Sequence, residues 1–289
     1  MKKLTIVLVT WNSQNDIIEC LSSIFNNLPK TKKFELETII VDNNSSDKTL
    51  ALIDNYIKLY EYEIKLIKNE ENLGFTRGCN QAIQSSTGDY VFILNPDTEM
   101  VGSALASLVD YLKHHDNVGA VAPQLTTFHA DIRHSCRTFP RYTDMFLEMS
   151  LLSSIFPKSH IFSRWKMKYF RHNETREVDQ PMGAALMLKR NVLEQIGGMD
   201  ERYTMFFNDV DFCRRIYDEG YKIVFFHEAK VKHREGASVY KDRGTMILHW
   251  NNDCLKYFKK HNYNFILYPF LWMGLRLTGI LRVIYYKFR

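Results

Sequence analysis

Tyr90-Val91-Phe92-Ile93-Leu94-Asn95-Pro96-Asp97-Thr98 is a run of five apolar residues that ends in a polar turn. A short, continuous apolar run of this kind reads as a strand buried on both faces. The same signal occurs three times upstream, at residues 4–9, 38–41 and 64–67. Helical spacing lies between these runs. Ile17, Leu21, Ile24, Phe25 and Leu28 place a helix over 17–28. Leu50, Ile53 and Ile57 share one face of a helix over 45–60, with Ser45 or Ser46 as its N-cap. Residues 76–84 form a third, short helix. The order β-α-β-α-β-α-β predicts an α/β fold with a mostly parallel, doubly wound, Rossmann-like sheet.

The pattern is less regular downstream. Strands are expected at 118–123, 184–189 and 222–226, and helices at 191–196, 209–219 and 246–261. Gly220 stops the second of these helices. Residues 126–176, punctuated by Pro140 and Pro157, show no clean element. The last twenty-five residues read as an amphipathic tail. There is no internal repeat and no low-complexity linker, so one domain over 1–240 with a helical extension over 241–289 is expected.

The chain has 289 residues, 45% hydrophobic and 25% charged, which suits a globular protein with an ordinary core. Its five cysteines show no C-x-x-C spacing. That argues against a zinc site or a disulfide framework and fits a reducing cytosol. Met1-Lys2-Lys3 runs into a short apolar stretch that reads as a first strand, not a signal peptide. The longest apolar run, 265–275, is about half of what a spanning helix needs, and Arg276 and Arg282 interrupt the residues after it. No transmembrane helix is expected. The net charge of +5 is mild but localised. Residues 151–176 carry Lys158, Arg164, Lys166, Lys168, Arg171 and Arg176 against Glu174 alone. Residues 265–289 carry Arg276, Arg282, Lys287 and Arg289 with no acid. Both stretches are also aromatic and apolar. They suit a phosphate-bearing partner or an anionic membrane surface.

Ligands of open parallel sheets bind beyond the carboxyl ends of the strands. Here the four exits are Thr10-Trp11-Asn12, Asp42-Asn43-Asn44-Ser45-Ser46-Asp47, Asn69 through Phe75, and Asn95-Pro96-Asp97-Thr98-Glu99. Polar turns after strands are common, but four along one edge point to a ligand site. No G-x-G-x-x-G follows the first strand, and no Walker motif is present, which disfavours hydride-transfer and P-loop enzymes. Asp97 can hold a divalent cation shared with substrate phosphates. Asn95-Pro96-Asp97 equally suits a plain turn in which Asp97 or Thr98 caps a following helix.

As an ordered set, these motifs resemble family 2 inverting glycosyltransferases, which have the GT-A fold, and in particular the rhamnosyltransferase-like branch. The resemblance is carried by Val9-Thr10-Trp11-Asn12, Val41 through Asp47, Asn72-Leu73-Gly74-Phe75 with Gly78 and Asn80, and Leu94 through Thr98. It continues through Gly183-Ala184-Ala185, Gly197 through Glu201, Phe207 through Phe212, and His233 with Gly236 and Ser238. It implies that residues 1–100 bind a nucleotide sugar and that 101–240 hold the acceptor and the catalytic group. Thr10, Asn12 and Asp42 would line the base and ribose pocket, and Asn72, Gly74, Asn80 and Asn95 would shape the rest of the donor site. Asp97 and His233 would ligate the metal, Mn²⁺ or Mg²⁺, with the imidazole favouring Mn²⁺. Asp209 would be the catalytic base, and Gly183, Ala184 and Asp211 would face the acceptor. Asn95 and Asn208 stand where many members carry acids. Without the resemblance, Asn208-Asp209-Val210-Asp211 reads as helix capping, and Lys232-His233-Arg234-Glu235 as a solvated face.

The resemblance places its acceptor loop at 141–176, where Phe146, Leu147, Leu151, Leu152, Ile155 and Phe156 mix with Lys and Arg. That mixture suits a polyprenyl-diphosphate-linked saccharide in cell-surface polysaccharide synthesis. The chain would then sit in the cytoplasm, peripheral on the inner face of the cell membrane. The same elements equally suit packing on the core or a homodimer contact. The first choice of donor is dTDP-rhamnose. The alternatives are a UDP-hexose, a UDP-N-acetylhexosamine, or a protein that binds a nucleotide sugar without turning it over. Nucleic acid is disfavoured, because the strand-end acids would repel its phosphates.

Overall fold

The structure, a computed structural model, describes residues 1–29, 31, 33–60, 62–234 and 243–287. Glu235, Gly236, Ser238 and Arg289, which belong to the motifs and the basic tail, lie outside the described residues. The N-terminal half is the alternation expected from the sequence. It runs β1 (Lys3–Thr10), α1 (Ile17–Asn26), β2 (Glu35–Asp42), α2 (Thr49–Tyr60), β3 (Ile64–Lys68), α3 (Phe75–Ser85) and β4 (Tyr90–Leu94). β1 pairs in parallel with β2 and β4, and β2 with β3. Every residue of β4 is buried.

The second half continues with β5 (Thr98–Val101), α4 (Ala104–His114), β6 (Val118–Thr126), β7 (Cys136–Arg137), α5 (Tyr142–Met149), α6 (Leu152–Ile155) and β8 (Arg176–Glu177). It ends with β9 (Gln180–Pro181), β10 (Ala185–Lys189), α7 (Arg190–Ile196), α8 (Asn208–Asp218), β11 (Lys222–His233), α9 (Arg243–His261) and α10 (Leu267–Lys287). The sheet order is β3-β2-β1-β4-β10-β6-β11-β5, with β8 against β11. β10 runs antiparallel between β4 and β6. β11 is parallel to β6 and antiparallel to β5. The sheet is therefore parallel over its first half and mixed beyond. β7 and β9 form a separate two-stranded ribbon.

Strand alternation explains the layers. Leu4, Ile6 and Leu8 of β1 pack with α1, α2 and α4 on one face. Val7 and Val9 pack with α3, α7 and α8 on the other. A third apolar cluster joins α5, α9 and α10 to Tyr203, Phe207 and Val210. Trp165 is buried in this cluster, whereas Trp272 is exposed.

The structure changes three expectations. First, α2 begins at Thr49. The Ser45 side chain bonds Asp42 instead, and Asp47 Oδ1 accepts from the Thr49 amide at 2.9 Å. Second, residues 126–176 contain two short helices, α5, which packs on α9 and α10, and α6, which packs on α5. Third, the tail is one 21-residue helix, about 31 Å long. Leu267–Tyr285 has a mean hydropathy of 1.3 and is long and apolar enough to cross a membrane. Arg276 and Arg282 do not break it, since arginine is a good helix former.

The pairing of β1 with β4 in the middle of the sheet depends on a close approach at Gly88. A Cβ there would meet Thr5 Oγ1 at 2.5 Å and the Thr5 backbone nitrogen at 2.6 Å. Gly88→Ala is expected to lower the unfolding free energy by about 1–3 kcal/mol. Urea denaturation checks this, and an unchanged midpoint would contradict it.

Candidate active site

The exits of β1 and β2 are laced into one structure. Asp42 is fully buried. Its Oδ1 accepts from Thr10 Oγ1 at 2.9 Å and Ser45 Oγ at 2.6 Å, and its Oδ2 from the Ser45 amide at 2.9 Å. Asn12 adopts a left-handed backbone, φ 53°, and its Oδ1 accepts from the Ser46 amide at 2.9 Å. Asn43 Nδ2 donates to the Gly74 carbonyl at 3.1 Å and so ties in the loop before α3. Gly74 has φ 83°, where a side chain would be strained, and its amide donates to Asn72 Oδ1 at 2.9 Å. Thr10, Asn12, Asp42, Asn72 and Gly74 thus share one edge. Asn80 is turned elsewhere. Its side chain bonds both the amide and the carbonyl of Met199, and also Glu201.

The exit of β4 leads into β5, not into a helix, so Asp97 and Thr98 do not cap one. Thr98 Oγ1 donates to the Asn95 carbonyl at 2.6 Å and closes the turn. β5 pairs with β11, with Thr98 opposite His233. This register brings His233 Nε2 to 3.4 Å from Asp97 Oδ1. His233 Nδ1 is buried without a partner among the described residues. Asp16 lies nearby and pairs with Arg234 at 2.8 Å. Burial raises the Asp16 pKa, Arg234 opposes this, and the charge on Asp97 adds to it.

The Asp97–His233 pair fits a divalent cation. One ion with bonds of about 2.1 Å to each atom spans their separation. Among the described residues, no three His, Cys, Asp or Glu side chains converge on a metal position. A cation here would therefore take its remaining ligands from phosphate oxygens and water, as hard cations readily do.

Asp209 lies in the first turn of α8 and is half-buried. Its Oδ2 accepts from Gln180 Nε2 at 3.0 Å and the Gly183 amide at 3.2 Å. Its Oδ1 accepts from the Val210 amide at 2.9 Å. Burial raises its pKa, against these hydrogen bonds and the charge of Arg137. A Cβ at Gly183 would press on Asp209 Cβ at 3.0 Å, so the bare glycine lets the two segments approach closely. The next residue, Ala184, accepts the Asn95 amide at 2.9 Å. Gly183-Ala184 therefore touches both the Asp209 carboxylate and the Asp97 turn.

Asp211 is fully buried and spent on structure. It bonds Arg215, Lys260 and His261, with Tyr203 at 3.4 Å. Burial pushes its pKa up, but these partners outweigh burial and hold it below the usual value. Two supporting residues were not anticipated from the sequence. Gln180 holds Asp209. Asp253, fully buried, accepts from the amides of Thr204, Met205 and Phe206 at 3.0–3.1 Å, just before α8. A sequence signal for it existed: Asp253 directly precedes the buried residues Cys254, Leu255, Tyr257 and Phe258, and a buried acid needs donors.

The family described as glycosyl transferase family 2 matches residues 5–197, about two thirds of the chain. Among curated relatives, N-acetylglucosaminyl-diphospho-decaprenol L-rhamnosyltransferase of Mycobacterium tuberculosis is 24% identical over 224 residues, 73% of this chain and 71% of its own. A putative glycosyltransferase, EpsE of Bacillus subtilis, is 23% identical over 242 residues, 83% of this chain and 76% of its own. Among solved structures, a mannosyltransferase from Pyrobaculum calidifontis in complex with GDP-Man and Mn²⁺ has a TM-score of 0.61 at 19% identity. It covers 96% of this chain and 74% of its own. S. aureus TarS in complex with UDP-GlcNAc has a TM-score of 0.56 at 16% identity, covering 96% and 72%. These structures share the fold, and it is the GT-A arrangement expected from the motifs.

Asp253→Asn should weaken three charge-assisted bonds and destabilise the chain by about 2 kcal/mol. The amides of Thr204, Met205 and Phe206 should then exchange faster in hydrogen-exchange measurements. Unchanged protection would contradict the anchoring role.

Proposed function

The chain belongs to glycosyl transferase family 2, and from that membership we propose that it transfers a sugar from a nucleoside diphosphate donor to a saccharide acceptor with inversion. The observation that carries this reading is the double contact of Gly183-Ala184, with Asp209 on one side and the Asp97 turn on the other. A single displacement needs one base for the acceptor hydroxyl and one means of stabilising the leaving diphosphate. Asp209 is the base. Its hydrogen bonds come from neutral N–H groups, which fix its orientation and leave it able to take a proton. Thr10, Asn12 and Asp42 form the floor of the base and ribose site, with Asn72 and Gly74 beside it. Asn80 and Asp211 act at a distance: one holds the 199–201 segment, and the other ties α8 to α9. Asp97 and His233 would hold Mn²⁺ or Mg²⁺, which neutralises charge on the leaving group.

dTDP-rhamnose is the first donor, supported by the relative that is a rhamnosyltransferase. A UDP-linked hexose or N-acetylhexosamine is the second, favoured by the likeness to TarS bound to UDP-GlcNAc. The acceptor is a polyprenyl-diphosphate-linked saccharide. This is supported by the diphospho-decaprenol substrate in that relative's name and by Leu151, Ile155 and Phe156 exposed beside basic residues. α10 packs one face on the protein through Leu271 and Leu275. Its other face exposes Leu277, Ile280, Leu281 and Ile284. A helix held in this way lies along the inner membrane surface.

Two outcomes test this reading. A base works deprotonated, so activity should fall as pH drops through the raised Asp209 pKa. The acid limb of the kcat profile should lie above the ordinary aspartate range. Asp209→Asn should abolish turnover without lowering the melting temperature at neutral pH. A raised carboxylate pKa costs stability once pH exceeds it, and asparagine escapes that cost. Retained turnover in Asp209→Asn would refute the base. Separately, Ile280→Glu with Ile284→Glu should move the chain from the membrane fraction to the soluble one. Unchanged fractionation would refute the interfacial helix.

A further inference from the structure

A cleft of about 270 Å³ lies between α5, α9 and α10. Trp165 and Trp250 wall it, with ring centroids 6.1 Å apart. Three cations line it, Arg137, Lys166 and Arg282, against one acid, Glu148, which pairs with Lys166. Arg282 has no ion pair or hydrogen bond among the described residues. It follows Leu275 by two helical turns on the packed face of α10, so the helix carries it inward. Trp165 Nε1–H, in the cleft wall, is buried without an acceptor among the described residues.

The cleft adjoins the base at one end and apolar surface at the other. Arg137 pairs with Gln180 in the β7–β9 ribbon, and Gln180 holds Asp209. Trp250 packs edge-on against Phe207 at 5.4 Å, two residues before Asp209. At the far end lies the exposed apolar face of α10. The volume is near the lower limit of small-ligand sites. It suits a head group, not a whole lipid-linked saccharide. The strand-end donor edge, formed by Thr10, Asp42 and Gly74, takes no part in lining it.

We propose that this cleft binds the phosphate group of a lipid-linked acceptor between Arg137, Lys166 and Arg282, with the lipid leaving along α10 and the sugar reaching Asp209. Aromatic walls accept the first isoprenoid carbons, and the net positive lining accepts the phosphate. The proposal rests on the acceptor being lipid-linked, as in the proposed function.

Titration of the full chain with farnesyl diphosphate, followed by tryptophan fluorescence, tests it. Saturable binding is expected, and Arg282→Gln and Lys166→Gln should each weaken it about tenfold. Binding of dTDP should be unchanged in both variants. Inorganic diphosphate should bind more weakly than farnesyl diphosphate. No binding by the wild type, or wild-type affinity in both variants, would overturn the proposal. So would full displacement of the probe by phosphatidylglycerol vesicles at equal phosphate concentration, which would mark a general head-group site. If the variants lose the probe but the wild type transfers no sugar to lipid-linked saccharides, the cleft stands and the acceptor reading fails. If transfer occurs and the acceptor KM in both variants stays at the wild-type value, the acceptor reading stands and the cleft fails.

Discussion

Two adjacent residues set the geometry of the site. Gly183 donates its amide to Asp209, and Ala184 accepts the amide of Asn95. Both contacts follow from the register of one strand. β10 pairs antiparallel with β4, with Ala185 opposite Leu94. A slip of one residue would exchange the faces of β10 and move the contact away from Asn95. That register is held by burial, since Ala185 through Leu188 are all buried. The placement of the Asp97 turn against Asp209 is therefore a property of the core.

The buried carboxylates divide by the partners they have. Asp211 is surrounded by Arg215, Lys260 and His261, and its pKa is lowered. Asp253 takes three amides and Lys256. Both are satisfied, and both bind elements together. Among the described residues, Asp209 accepts from an amide side chain and two backbone amides, and its pKa is raised. Full compensation makes a carboxylate structural, and partial compensation leaves it available for proton transfer. Asp42 accepts from the hydroxyls of Thr10 and Ser45 and from the Ser45 amide. It joins the β1 and β2 exits, so it shapes the donor edge from below.

Local periodicity made residues 4–94 legible, because each strand and helix there repeats its own signal. The start of α2 was not legible: Ser45 and Asp47 are both good caps, and the choice was made by Asp42, whose carboxylate takes Ser45. α5 was hidden because its order comes from α9 and α10, more than ninety residues away, and α6 packs on α5 in turn. The continuity of α10 was misjudged from two arginines whose long side chains a helix tolerates. At the site, Thr10, Asp42 and Asp97 stood out at strand exits. The meeting of Asp209 with Gly183 and of Asp97 with His233 depends on strand order, which periodicity does not encode.

The central claim is a division of labour between two carboxylates that Gly183-Ala184 holds in register. Calorimetric titration with dTDP in the presence of Mn²⁺ tests it most directly, using the wild type, Asp97→Asn and Asp209→Asn. The account predicts that Asp97→Asn loses the Mn²⁺-dependent part of nucleotide binding while Asp209→Asn keeps it. Equal loss in both variants, or loss in Asp209→Asn alone, would contradict it.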